Sequence, residues 1–130
     1  MKDVNEIERN FIVLSPDKTA FIEQADSTLY ERLDQTYADF KGHDLVSCYE
    51  FESDWDSWEV HPHGDEVVLL IYGDITFVLK FEIDEVEISL VNQGQYLIVP
   101  KGVWHTAKTK TKSKVLFITP GQGTQHRPEG

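Results

Sequence analysis

A chain of 130 residues has the length of one ordinary domain, and its 40% hydrophobic residues can supply one core. Its formal net charge of −11 has the wrong sign for nucleic acid, which proteins bind mainly through Lys and Arg, so we predict no nucleic-acid partner. The acidic N-terminus does not resemble a secretion signal, and no apolar run approaches the roughly 20 residues that span a bilayer; we therefore expect a cytoplasmic protein without a membrane partner.

The first third of the chain is predicted to form two strands and a helix. Phe11–Leu14 and Ala20–Ile22 have strand composition on either side of a Ser-Pro-Asp-Lys turn. A helix is predicted from a cap at residue 26 or 27 to about residue 40, where Gly42 can end it. The helix is indicated by one apolar stripe with spacings of four, four and three residues: Leu29, Leu33, Tyr37 and Phe40.

From residue 45 onward, short runs rich in β-forming residues follow one another between turn residues, which predicts an all-β sandwich or barrel. The single cysteine, Cys48, lies in the first of these runs and is expected to be a buried residue without a disulfide. We divide a single domain, 1–130, into N-terminal strands and helix (1–44), a barrel (45–119) and a tail that extends over the surface (120–130). The predicted strands are Leu45–Glu52, Ser57–Pro62, Glu66–Tyr72, Ile75–Phe81, Val86–Leu90, Gln95–Val99, Trp104–Thr109 and Val115–Thr119.

The densest group of metal-binding residue types lies between residues 58 and 66, in the string Trp-Glu-Val-His-Pro-His-Gly-Asp-Glu. Side chains alternate along a strand, so Glu59, His61 and His63 are predicted to project to one face. A carboxylate and two imidazoles are costly to bury unless a cation neutralises them. Imidazole nitrogen and carboxylate oxygen together suit Fe, Mn, Ni or Zn, so the string predicts a divalent transition metal.

A second segment brings another histidine. Gly94 and Pro100 bracket a predicted strand. The turn that ends at Gly102 is expected to change the direction of the chain, so that His105 lies at the start of the next strand. A lone histidine is more often a hydrogen-bonded core residue than a ligand. Because two separate segments carry histidines and each is positioned by a turn, we predict that these histidines share one pocket.

The second segment resembles a motif of the cupin superfamily, Gly-x5-Pro-x-Gly-x2-His-x3-Asn. Gly94, Pro100, Gly102 and His105 fit every spacing, and only the last position departs, with Thr109 in place of Asn.

The first string resembles the other cupin motif, Gly-x5-His-x-His-x3–4-Glu-x6-Gly, and a cupin subgroup with Trp-Glu-Met-His-Pro-x-Gly-Asp-Glu. Glu66 and Gly73 fit the second half of the motif, and its leading Gly is missing. In one register His61 takes the second histidine position and Glu59 the first. In the other, His61 and His63 form the pair, but only two residues then precede Glu66, fewer than the motif allows. We adopt the first register.

The resemblance, from about residue 45 to residue 119, implies a cupin-type jelly-roll barrel that is usually dimeric and holds a metal in its mouth. The implied ligands are Glu59, His61, Glu66 and His105, with His63 lining the pocket. Two carboxylates leave such a site neutral with a 2+ ion, whereas three histidines and one Glu leave it at +1. A neutral site is expected to be a weaker Lewis acid and a poorer trap for an anionic substrate.

Three functions remain open on the sequence. The first is an enzyme, of dioxygenase, isomerase or lyase type, that acts on a small molecule, with His63 or Glu59 as general base, whichever does not bind the metal. The second is a non-catalytic module that binds a small ligand, and the third is a metal-free structural domain.

Among the remaining candidates, Trp58, Trp104 and Tyr96 flank the motifs and are core or pocket residues, while His43 and His126 are predicted to be solvated.

Overall fold

Within residues 4–128, which the computed structural model describes, the chain forms eleven β-strands and one α-helix. No helix in this part of the chain has the length and hydropathy needed to cross a membrane. The elements are β1 (Asn10–Leu14), β2 (Ala20–Gln24), α1 (Leu29–Thr36), β3 (Asp44–Phe51), β4 (Ser57–Val60), β5 (Glu66–Tyr72), β6 (Ile75–Lys80), β7 (Glu85–Leu90), β8 (Tyr96–Val99), β9 (Trp104–Lys108), β10 (Ser113–Thr119) and β11 (Gln125–Pro128).

The strands form two antiparallel sheets. One has the order β2-β1-β3-β10-β5-β8 and the other β11-β4-β9-β6-β7. Both sheets contribute to the main core cluster, for example Val68 and Val115 from the first and Phe77 from the second, all 0% exposed. The predicted all-β architecture is confirmed, because the two sheets bury their inner faces against each other.

The helix is shorter than its apolar stripe predicted. It begins at Leu29 and ends at Thr36, whereas the prediction extended it to about Phe40. Residues 38–40 all have positive φ, between 51° and 61°, so the chain leaves the right-handed helix there and makes one 3-10 turn. The stripe nevertheless faces inward, since Leu29, Leu33 and Phe40 are buried in a second core cluster.

The strand predictions differ most from the structure at the C-terminus. β5 has the predicted bounds, and Cys48 is buried on β3, as expected. The tail was predicted only to extend over the surface. In the structure its residues 125–128 form β11, which pairs antiparallel with β4, so that His126 lies opposite Glu59.

The β5–β6 turn depends on a glycine. Gly73 has a φ of +111°, and a Cβ at this position would lie 2.5 Å from the Cα of Ser113 and 2.7 Å from the carbonyl oxygen of Lys112. Because those atoms belong to the backbone at the start of β10, no side-chain rotation can make room for a methyl group. Gly73, the glycine of the Glu-x6-Gly spacing, is therefore required because the β5–β6 turn packs closely against the backbone at the start of β10.

Replacing Gly73 with Ala is expected to lower the free energy of unfolding by about 2–5 kcal/mol, because backbone strain and steric overlap add. Gly94→Ala is the matched control. Gly94 has a φ of +87° but no atom within 4 Å of an added Cβ, so this variant should lose only about 1–2 kcal/mol. Urea unfolding followed by circular dichroism measures both; equal losses would show that the contact with Ser113 does not matter.

Candidate metal centre

Four of the predicted site residues converge at one end of the two sheets. Glu59 on β4 is the direct register partner of His105 on β9. His61 follows β4, and Glu66 opens β5 in the opposite sheet. Two of the four residues therefore lie on strands of one sheet, one lies on the segment after β4, and one lies on the facing sheet.

The charged ends of these side chains lie within a few ångströms of one another. His61 Nε2 is 3.3 Å from Glu66 Oε2 and 3.7 Å from Glu59 Oε1, and His105 Nε2 is 3.2 Å from Glu66 Oε1. Ligand atoms of Glu59, His61 and His105 all lie within 4.8 Å of one another. This spacing allows a single ion to contact several of them.

Three buried polar atoms at the centre lack a hydrogen-bond partner among the described residues: His61 Nε2, His105 Nε2 and Glu66 Oε1. The short nitrogen–oxygen distances above do not have hydrogen-bond geometry. Leaving a buried polar group unpaired costs about 1–3 kcal/mol per group. Three such atoms in one cluster of side chains fit a bound cation, because two are imidazole nitrogens and the third is a carboxylate oxygen.

The other polar atoms of the same side chains are hydrogen-bonded in the way that orients metal ligands. Thr124 Oγ1 donates to Gly121 O at 3.0 Å, so it accepts from His61 Nδ1 at 2.8 Å. His105 Nδ1 donates to Val103 O at 3.2 Å. In the neutral imidazoles both protons are thus on Nδ1, and both Nε2 lone pairs face the centre.

Glu66 is held from the neighbouring strand. Thr119 Oγ1, at the end of β10, donates to Glu66 Oε2 at 2.6 Å. Burial would raise the pKa of Glu66, but His105 and His61 outweigh that effect and lower the pKa to about 2. Burial likewise would lower the pKa of His105, but the Glu66 carboxylate more than compensates and raises it above its usual 6.5. The Glu66 carboxylate and the His105 imidazole therefore favour each other's charged forms.

The two sequence motifs are tied together by their turns. The Lys101 N–H donates to Asp65 Oδ1 at 2.8 Å, and the Gly102 N–H donates to His61 O at 3.0 Å. Gly102 needs its positive φ of +77° to make this turn. The Pro-Lys-Gly turn is therefore docked on the first histidine segment, and it places His105 beside His61.

A cavity of about 1170 Å³ opens over the centre. Glu59, His61 and Glu66 lie in its wall, together with residues from α1, β3, the loop after β3 and the segment before β11. The hydroxyls of Tyr30 and Tyr49, which also line the cavity, are 2.6 Å apart. Burial first, and the charge of Glu59 in addition, raise the pKa of both tyrosines, so both hydroxyls stay protonated.

The structure separates His63 from the other predicted site residues. β4 ends at Val60, and Pro62 has no N–H with which to continue the strand pairing. The alternation predicted to carry Glu59, His61 and His63 on one face therefore stops after His61. His63 is exposed, lies beside Gly123, and is not among the described residues that line the cavity.

Several residues of the site were not singled out by sequence analysis. His126, predicted to be solvated, is half-exposed at 58%, but its Nε2 lies 3.2 Å from Glu59 Oε2 and it lines the cavity. Thr119 and Thr124 orient Glu66 and His61. Nothing in their local sequence marks them, because each acts through a contact with a residue more than fifty positions away.

No protein-family model matches the sequence, and no curated protein matches it. Hydroquinone 1,2-dioxygenase from Sphingomonas sp. TTNP3 superposes with a TM-score of 0.50 at 19% identity, over 58% of this chain and 58% of that chain. An oxalate oxidase gives 0.53 at 14% identity, over 62% of this chain and 44% of that chain. Peruvianin-I, described as a cysteine peptidase from Thevetia peruviana latex, gives 0.55 at 14% identity, over 67% and 57%.

These similarities establish the fold, which is the predicted cupin-type jelly roll. Each match spans roughly half the length of the other protein. The three proteins carry unlike activities, so the fold alone does not assign one to this chain.

Proposed function

For a chain with the cupin fold, we propose a metal-dependent enzyme that acts on a small organic molecule in the cavity above the metal centre. The observation that carries the proposal is the set of three buried, unpartnered atoms on His61, Glu66 and His105, whose side chains are in contact. The proposed ligands are those of the first motif register: Glu59, His61, Glu66 and His105.

The donor set limits which ions fit. Two imidazole nitrogens and two carboxylates suit Fe, Mn, Ni or Zn in the 2+ state. Two negative charges balance a 2+ ion, so the loaded centre is neutral. Neutralisation by the ion would also compensate the burial of the Glu66 carboxylate, which is only 3% exposed.

The cavity gives an ion at this point access to a small molecule. Glu59, His61 and Glu66 lie in the cavity wall, so an ion held by the proposed ligands would be within reach of a small molecule in the cavity. When bound, the ion would polarise a carbonyl or activate dioxygen. The chain's own contribution is to orient Glu66 through Thr119 and His61 through Thr124.

The proposal is tested by elemental analysis of the purified full chain, followed by replacement of the metal with Co²⁺. We expect about one metal per chain and a visible spectrum that changes when acetylacetone is added. Turnover of some small organic compound supports the enzyme. A spectral change without turnover of any compound tried supports the binding module instead. A loaded protein whose spectrum no added ligand changes contradicts both.

The choice of register has its own test. Glu59→Gln is expected to weaken metal binding more than His63→Ala, by at least about tenfold, because Glu59 is within reach of the centre and His63 is not. Competition with a fluorescent chelator measures both affinities. The reverse order would show that the His-x-His register is right.

The role of His63 as general base stays a prediction, and its exposed position outside the cavity wall gives it no support. If His63 is the base, His63→Ala should keep its metal and lose about 10²–10⁴-fold in turnover. The homodimer and the cytoplasmic location also stay predictions.

A further inference from the structure

We infer that the organic ligand of this cavity is a cation: a small molecule that carries a protonated or quaternary amine beside an apolar group. The inference rests on the proposed function, since it names the ligand class of the same site. It is carried by the charge of the cavity wall and by the aromatic side chains beside it.

The cavity wall is acidic beyond the metal centre. In addition to Glu59 and Glu66, five carboxylates line it, and no Lys or Arg is among the described lining residues. The wall also holds His61, whose side chain is 5% exposed and whose Nε2 is unpartnered. The five additional carboxylates are Asp34, Glu50, Glu52, Asp54 and Asp56.

Part of this charge has no counter-ion in the described part of the chain. Glu50 and Glu52 share one lysine, with Lys112 Nζ 3.9 Å from an oxygen of each. Asp34 and Asp56 form no ion pair with any described residue and are exposed to the cavity mouth. A 2+ ion would balance Glu59 and Glu66 only. The cavity therefore keeps a negative charge when the metal is bound. A concave wall whose charges share one sign raises the local concentration of ligands with the opposite charge.

Aromatic rings form the apolar part of the same wall. Phe51 lies 5.5 Å from Trp55 and 6.2 Å from Tyr49 and from Phe117, measured between ring centroids. All four rings line the cavity. Aromatic faces attract organic cations through their quadrupoles, and they also bury the ligand's hydrocarbon. Rings beside uncompensated carboxylates select an amine over a neutral molecule of the same shape.

The test uses three probes of similar shape and different charge: phenethylamine, 2-phenylethanol and phenylacetate. Isothermal titration of the metal-loaded full chain at low salt should show phenethylamine binding at least about tenfold more tightly than phenylacetate, with 2-phenylethanol between them. The preference should shrink at 0.5 M NaCl, where exposed charges are screened. Removing the metal should strengthen amine binding further, because two carboxylates lose their counter-ion.

Two double variants separate the cavity's charge from the charge of the whole chain. Asp34→Asn with Asp56→Asn should reduce the amine preference at least about threefold. Asp84→Asn with Glu85→Gln changes the net charge equally at two exposed positions where β7 begins, outside the cavity. This pair should leave the amine preference unchanged within about twofold. Equal effects of the two pairs would overturn the assignment to this cavity.

Tighter binding of phenylacetate than of phenethylamine by the loaded protein would overturn the inference, and so would failure of all three probes to bind. Either result leaves the proposed function standing if elemental analysis finds the metal. Amine preference in a protein that takes up no metal supports the ligand class and contradicts the proposed function.

Discussion

Purified His105→Ala protein is expected to hold no stoichiometric metal, with an affinity at least about 100-fold below that of the unchanged chain. His105 is 0% exposed and its Nε2 faces the centre without a partner, so solvent cannot substitute for the ring. Among the described residues, no other imidazole on β9 can take its place. Elemental analysis after gel filtration measures the loss directly.

His43→Ala is the matched control for that experiment. His43 lies in the loop before β3, where its Nδ1 contacts Lys41 O, and it is not part of the centre. We expect this variant to keep full metal content. Because an alanine at position 105 leaves a cavity, His105→Gln serves as a second variant of similar volume. Normal metal content in folded His105→Gln protein would contradict the assignment of this residue as a ligand.

Metal affinity is expected to fall by up to about 100-fold between pH 7.5 and pH 5.5. His105 must lose its proton to bind an ion, and the Glu66 carboxylate raises its pKa above 6.5 despite burial. Below that raised pKa, each pH unit costs about tenfold in affinity for the one proton displaced. Chelator competition at a series of pH values gives the slope.

The stability of the metal-free protein should change in the opposite direction over the same range. The raised pKa of His105 contributes stability that is present below pH 6.5 and is lost as pH rises through that raised value. The lowered pKa of Glu66 contributes stability that is present above about pH 4.5 and is lost as pH falls towards 2. The metal-free chain should therefore be most stable between these limits.

The two effects together predict that metal raises the melting temperature more at pH 8 than at pH 5.5. Differential scanning calorimetry of loaded and metal-free protein measures this difference at each pH. A difference that stays constant with pH would show that no proton leaves His105 when the metal binds.

The fold class was predictable because short β-rich runs and turn residues are local properties. β5 was predicted with its observed bounds, since its apolar run ends at a glycine that the turn requires. The end of α1 was predicted about four residues too late, because an apolar stripe shows which side of a helix faces the core and not where the backbone leaves the helix. The left-handed residues 38–40 are non-glycine, so composition did not mark that end.

The four residues proposed as metal ligands were predictable to the extent that they lie in two short strings. Strand alternation and the two motifs singled out Glu59, His61, Glu66 and His105, and the structure brings all four together. Alternation failed for His63, because it holds only as far as the strand itself, and the strand ends at Val60.

What the sequence by itself determined is therefore the architecture and the residue types at the centre, since both follow from patterns within about ten residues. Only the tertiary structure decided the surroundings. Pairing of β11 with β4 brings His126 to Glu59, and Thr124 reaches His61 across 63 positions. The acidic, aromatic cavity draws on α1, β3 and the segment before β11, and no local pattern encodes how such distant segments meet. Their meeting is fixed by which apolar faces the two sheets and the helix bury together.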